Sequence, residues 1–200
     1  MKTEKYPFGF FNKILVIDTE TSAINTSSKD ISEDCQIVAI GLVVADAKSF
    51  KEIDSKYIEI RWNKNSKWSE KAQSIHGLSR EYLDEHGVAE DDAVVQICEF
   101  ILKHYNPDDS ITLLAHNPRF DHAFLSSLLS KYDIKFKFSH RMIDSFTAGF
   151  VSLGTFNSDD LFEYLGFDRK GYHNALGDAR MALKAVSIIA NIFQSALKGR

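Results

Sequence analysis

The chain has 200 residues, 44% of them hydrophobic, enough to bury one sizeable core, so residues 1–200 are read as a single domain. Lys and Arg number 24 against 28 Asp and Glu, a formal net charge of −4. That balance excludes a protein that coats nucleic acid through bulk positive charge, but not an enzyme that holds a short strand in a local cleft. Cys35 and Cys98 are too few for a disulfide framework and lack metal-ligand spacing; no apolar run opens the chain or reaches membrane-spanning length. The expectation is a cytoplasmic protein with apolar thiols and no membrane contact.

Periodicity predicts strands over Lys13 to Ile17, Gln36 to Ala45 and Tyr57 to Arg61, separated by polar or turn-prone segments, the longest being Ser22 to Glu33. Three strands in succession suggest an antiparallel meander. After Asn63 the pattern turns helical, over Ser69 to Ile75, Arg80 to Glu85 and Glu90 to His104, where Asn106 and Pro107 stop it. Ile111 to Ala115 reads as a short buried strand feeding a helix that opens at Asn117 and Pro118, with Asn117 as N-cap. A last strand near Arg141 to Asp144 and helices over Phe146 to Val151, Asp159 to Leu165 and Asp178 to Leu197 complete the chain. An antiparallel start followed by alternating strands and helices implies an α/β fold, a mixed sheet flanked by helices.

Four carboxylates interrupt the apolar stripes of these elements. Alternation puts Asp18 and Glu20 on the strand face of Ile14 and Val16. Asp121 heads a helical stripe of Leu125, Leu128 and Tyr132, and Asp178 heads one of Ala182, Ala185, Ile189 and Phe193. A buried carboxylate needs a proton, a basic partner or a metal ion, and no Lys or Arg shares these stripes. Hard divalent cations, Mg²⁺ or Mn²⁺, are the leading candidates. Asp144 is read as a strand-end cap, and His86, His104, His122 and His140 as solvated or capping residues without zinc spacing. The segment Arg61 to Trp68 interleaves bases with aromatics, which suits either a single-strand stacking surface or a packed strand end. Arg169 and Lys170 suit either a phosphate contact or a solvated loop.

Taken in order, Val16-Ile17-Asp18-Thr19-Glu20-Thr21, Ile75-His76-Gly77-Leu78, Ala115-His116-Asn117 with Phe120-Asp121, and His173-Asn174-Ala175-Leu176 with Asp178-Ala179 form a set. The chain resembles, over about residues 13–190, the DEDDh-type 3′-to-5′ exonucleases, which include the proofreading epsilon subunit of bacterial DNA polymerase III and RNase T. The resemblance implies an RNase H-like fold: a mixed five-stranded sheet, its first three strands an antiparallel meander, with helices on both faces.

It also implies roles. Asp18, Glu20, Asp121 and Asp178 match the family's metal-binding acids and His173 its general base, in a mechanism using two divalent cations and releasing 5′-mononucleotides. Thr21, His76, Asn117 and Phe120 match positions beside the terminal nucleotide, although Phe120 equally suits the core. Ser22-Ala23 stands where relatives carry Thr-Gly. The implied partner is nucleic acid with a free 3′ end, single-stranded or frayed, DNA favoured over RNA, together with a polymerase or another replication or repair protein. Two alternatives stand beside it: an exoribonuclease on short or structured RNA 3′ ends, and a noncatalytic nucleic-acid-binding or polymerase-accessory module.

Overall fold

β1, Lys13–Thr21, is the strand on which the rest of the molecule is assembled. It pairs antiparallel with β2, Ile37–Asp46, which pairs antiparallel with β3, Glu52–Glu59. On its other side it pairs parallel with β4, Leu113–Ala115, and β4 in turn with β5, Ile143–Asp144. The sheet order is therefore β3-β2-β1-β4-β5, mixed and five-stranded, with the antiparallel meander expected of the first three strands. This computed structural model describes residues 12–167 and 173–198; Arg169 and Lys170 lie outside the described residues.

The helices follow in chain order: α1 Glu70–His76, α2 Arg80–His86, α3 Glu90–His104, α4 Pro118–Ser130, α5 Ser145–Leu153, α6 Ser158–Tyr164 and α7 Ala175–Lys198. Strand alternation sorts them onto the two faces. Leu15 and Ile17 point into a core with Val94, Ile97 and Ile101 of α3 and Phe124, Leu125 and Leu128 of α4. Ile14 and Val16 point the other way, into a core with Ala179, Ala182, Leu183 and Val186 of α7. A smaller cluster of Leu161, Phe162, Ala185 and Ile189 joins α6 to α7. β1 and β2 are thus covered on both faces, which is why they read as continuous apolar runs.

Several elements differ from the expectation, each for a physical reason. β3 begins at Glu52, five residues before Tyr57, because an edge strand with one hydrogen-bonded neighbour tolerates the polar run Glu52 to Lys56. Tyr132 lies beyond the end of α4 and is 37% exposed, since the chain turns at Asp133 with φ 56°. Phe193 is 53% exposed, one turn past Ile189 where α7 runs beyond its packing partners. Asn117 occupies the N-cap position of α4 but does not cap it: its backbone is left-handed, with φ 64°, and its side chain makes no capping bond. Asp144 caps α5 as expected, accepting from the Phe146 N–H. It also accepts from the Asn117 N–H, pinning that turn. His104 is half-buried, its Nε2 2.7 Å from Asp54 Oδ2, rather than solvated.

Gly41 fixes where α7 meets the sheet. It lies opposite Asp18 in the β1/β2 register. A Cβ built on it would come within 2.4 Å of the backbone of Ala175 and Leu176, at the first residues of α7. A contact that close to backbone forces a shift, so the absent side chain lets the start of α7, which carries Asp178 in its first turn, settle on the sheet at the strand position next to Asp18. Gly41→Ala is expected to lower the thermal midpoint markedly, by the equivalent of roughly 1–3 kcal/mol. Gly177→Ala, whose Cβ would meet nothing nearer than the Asn174 side chain at 3.6 Å, should leave it unchanged or slightly raised. Parallel melts that rank the two variants equally would contradict this reading.

Candidate active site

The C-terminal end of β1 carries Asp18 and Glu20 out of the apolar row of Ile14 and Val16. On that face the first turn of α7 supplies Asp178, whose N–H donates to the Asn174 carbonyl at 2.8 Å. From the opposite face α4 supplies Asp121, within its first turn and so near the positive end of the helix dipole. All four acids, together with His173, line one cavity of about 180 Å³. Thr19, His116, Phe120, Ser158 and Phe162 complete its wall.

His173 is placed by its backbone as much as by its side chain. Its N–H donates to the Ile75 carbonyl at 3.0 Å, tying the entry to α7 to the end of α1 across the cavity. Its Nδ1 lies 3.4 Å from Asp178 Oδ2. Donor atoms from Glu20, His173 and Asp178 all lie within 4.8 Å of one another, which sets the imidazole at the edge of the carboxylate cluster. Asp121 is 2% exposed, and burial pushes its carboxyl well above the usual range, to about 7. Rich in carboxylate oxygens, the donor set fits Mg²⁺ or Mn²⁺.

A second cleft of about 480 Å³ shares Thr19, Glu20 and Phe120 with the first. Its walls are mostly apolar, from Ala23 and Ile24 on one side to Ala72 and Ile75 on the other, with Thr21, Thr26, Ser69, Lys71 and His76 among its polar groups. His76 is 4% exposed; its Nδ1 accepts from the Leu78 N–H at 3.0 Å, which leaves the ring proton on Nε2. That Nε2 has only a weak contact with the Thr21 backbone, and burial lowers the imidazole pKa to about 4, so the ring is neutral at physiological pH.

The structure therefore brings together Asp18, Glu20, Asp121, Asp178 and His173, with Phe120 between the two cavities and Thr21 and His76 in the second. Phe120 also packs on Phe124, with ring centroids 5.0 Å apart, so both of its readings hold. Asn117 lines neither cavity; it is exposed and forms the turn before α4. The tryptophans of the basic-aromatic segment pack together instead of lying open. Trp62 and Trp68 meet edge to face at 5.4 Å, and the Arg80 guanidinium sits 5.4 Å and 5.6 Å from their ring centres.

Sequence reasoning assigned no role to Thr19, His116, Ser158 and Phe162. His116, held by Ser145 Oγ at 3.1 Å and by the edges of Phe146 and Phe162, stands inside a quoted motif and was within reach. Ser158 and Phe162 arrive from α6 with no local signal.

Comparison with known proteins agrees with this geometry. The family model described as Exonuclease, of the RNase T type, matches residues 15–186. Among curated relatives, Ribonuclease T of Shewanella oneidensis is 24% identical over 88% of this chain and 81% of its own length. Ribonuclease T of Shewanella baltica is 25% identical over 96% and 86%. Among solved structures, the nuclease domain of 3′hExo, a DEDDh family member bound to rAMP, superposes with a TM-score of 0.65 at 15% identity, covering 94% of both chains. Escherichia coli exonuclease I in complex with a dA16 oligonucleotide gives 0.73 at 13% identity, over 90% of this chain and 41% of that one. The fold is RNase H-like, as these neighbours are. The chain belongs to the exonuclease family and is a 3′-to-5′ exonuclease of the DEDDh type.

Proposed function

We propose that this exonuclease removes nucleotides singly from an unpaired 3′ end and releases 5′-mononucleotides. In this reading Asp18, Glu20, Asp121 and Asp178 hold two divalent cations, Mg²⁺ or Mn²⁺, and His173 is the general base. The observation that carries it is the convergence of four carboxylates and one imidazole in a single cavity that opens into an apolar cleft. When bound, such ions neutralise phosphate charge, lower the pKa of water and steady the leaving oxygen. The protein's own part is positioning, since phosphoryl transfer asks for little covalent help.

Asp178, facing Nδ1 of His173, orients the imidazole and would stabilise the charge it gains on taking the proton of the attacking water. The cleft between Ile24 and Ile75 offers a base an apolar slot near Phe120, with Lys71 at hand for a phosphate. A base reaches such a slot only out of its duplex, which supports single-stranded or frayed ends. Thr21 and His76 would face the terminal nucleotide, His76 as a neutral donor. The resemblance alone favours DNA; the curated relatives carry the name Ribonuclease T, and RNA is accordingly the first substrate proposed. DNA is the second, supported by the likeness in fold to exonuclease I with its bound oligonucleotide. The thiols of Cys35 and Cys98 are free and suit a reducing, cytoplasmic setting.

Matched RNA and DNA oligonucleotides, 5′-labelled, single-stranded and blunt-ended, test the substrate directly. Stepwise shortening from the 3′ end, fastest on single-stranded RNA and abolished by chelator, is expected. Equal rates on blunt duplex, or shortening that survives chelation, would contradict the proposal. His173→Ala should lower turnover on the order of 10²- to 10⁴-fold with Mn²⁺ affinity nearly intact. Wild-type turnover in that variant would remove His173 from the mechanism.

The pKa of Asp121 adds a pH dependence. Its folded-state value, about 7, lies above the ordinary 3.8. In metal-free protein the group therefore contributes full stability below the unfolded value, and that contribution is lost as pH rises toward 7 and the buried carboxyl ionises. Melts in chelator should show the wild type losing ground to Asp121→Asn between pH 5 and pH 8, with added Mn²⁺ restoring it at the upper end. A difference between the two proteins that stays constant across this range would contradict the burial reading.

A further inference from the structure

Thr19 stands between the two acids of β1 but faces the other way. Its row is Leu15 and Ile17, which point into the core shared with α3 and α4. Where the apolar row ends, the Thr19 hydroxyl donates to Asp121 Oδ1 at 2.8 Å, joining residues 102 apart in sequence. Both groups are sealed, Thr19 at 6% exposed and Asp121 at 2%. Among the described residues this is the one side-chain hydrogen bond that Asp121 makes.

Docking of α4 does not require it, because Phe124, Leu125 and Leu128 already anchor that helix in the core. What those contacts leave undetermined is the rotation of the Asp121 carboxylate at the head of the helix. The other three acids approach from the Ile14 and Val16 face or from α7, so Asp121 alone has to be aimed across the strand toward them.

We propose that Thr19 is a positioning residue of this exonuclease: its hydroxyl fixes the Asp121 carboxylate so that the acids of the two sheet faces meet in one donor set. This rests on Asp121 being a member of that set. One strand then serves both halves of the site, Asp18 and Glu20 entering directly and Thr19 holding the acid from the opposite face. A threonine suits the position because its methyl continues the packed row while its hydroxyl adds a side-chain donor to the backbone N–H groups of Thr19 and Asp121 that also meet the carboxylate. Groups that orient metal-binding side chains in this way typically matter about 10- to 100-fold in affinity or rate.

The test measures Mn²⁺ affinity by calorimetry, and kcat and KM on a single-stranded oligonucleotide, for Thr19→Val, Thr19→Ser and Asp121→Asn. Thr19→Val, equal in size and lacking the donor, should weaken Mn²⁺ binding and kcat by about 10- to 100-fold with KM unchanged. Thr19→Ser should restore both. In an Asp121→Asn background Thr19→Val should cause no further loss of Mn²⁺ affinity, since the two act as a unit. Wild-type affinity and kcat in Thr19→Val, or a serine variant as impaired as the valine one, would overturn the inference. If the valine variant does not fold by near-ultraviolet circular dichroism, Thr19→Ala, which also lacks the donor, takes its place, and wild-type behaviour there would overturn the inference equally. Wild-type behaviour in Asp121→Asn would instead overturn the assignment of Asp121 to the site, which keeps the two failures apart.

Discussion

Carboxylates that repel one another and resist burial are gathered at the end of the central strand, and the rest of the architecture is organised by that constraint. Asp18, Glu20, Asp121 and Asp178 share one small cavity, and three of them, Glu20, Asp121 and Asp178, are almost wholly removed from solvent. A fold shaped only for stability would place apolar side chains there. The cost is tolerable if the cluster exists to hold cations, and the sheet provides the rigid frame that keeps the acids close before any ion arrives.

Topology does the gathering. The parallel pairing of β1 with β4 brings the loop after β4, and so the start of α4, beside the end of β1. The long helix α7 crosses the other face and is let down onto it at Gly41, opposite Asp18. The backbone bond from His173 to Ile75 then closes the ring of elements around the cavity. Residues far apart in sequence thus converge because each lies at the end of an element whose apolar side is already fixed in one of two cores.

Much of this could be read from the chain because the informative residues break a pattern. Asp18 and Glu20 interrupt a strand row, and Asp121 and Asp178 a helical stripe; such interruptions survive without any knowledge of the partners. The helix from Glu90 to His104 was legible for the same reason, having a full amphipathic period. β3 was only half visible, because a polar edge strand carries little alternation. Asn117 was misleading: a residue good at capping a helix is also one that tolerates the left-handed turn it in fact adopts. Thr19, Gly41 and Phe162 matter through what lies across from them, on α4 and α7, and no local spacing reports such contacts.

The central claim is that the gathered acids are a cation site. Its most direct test is anomalous scattering from crystals grown with Mn²⁺. The account predicts manganese peaks within coordination distance of Asp18, Glu20, Asp121 and Asp178, and their loss in Asp18→Asn. Well-ordered crystals at saturating Mn²⁺ with no peak among these carboxylates, or with the metal bound elsewhere on the surface, would contradict it.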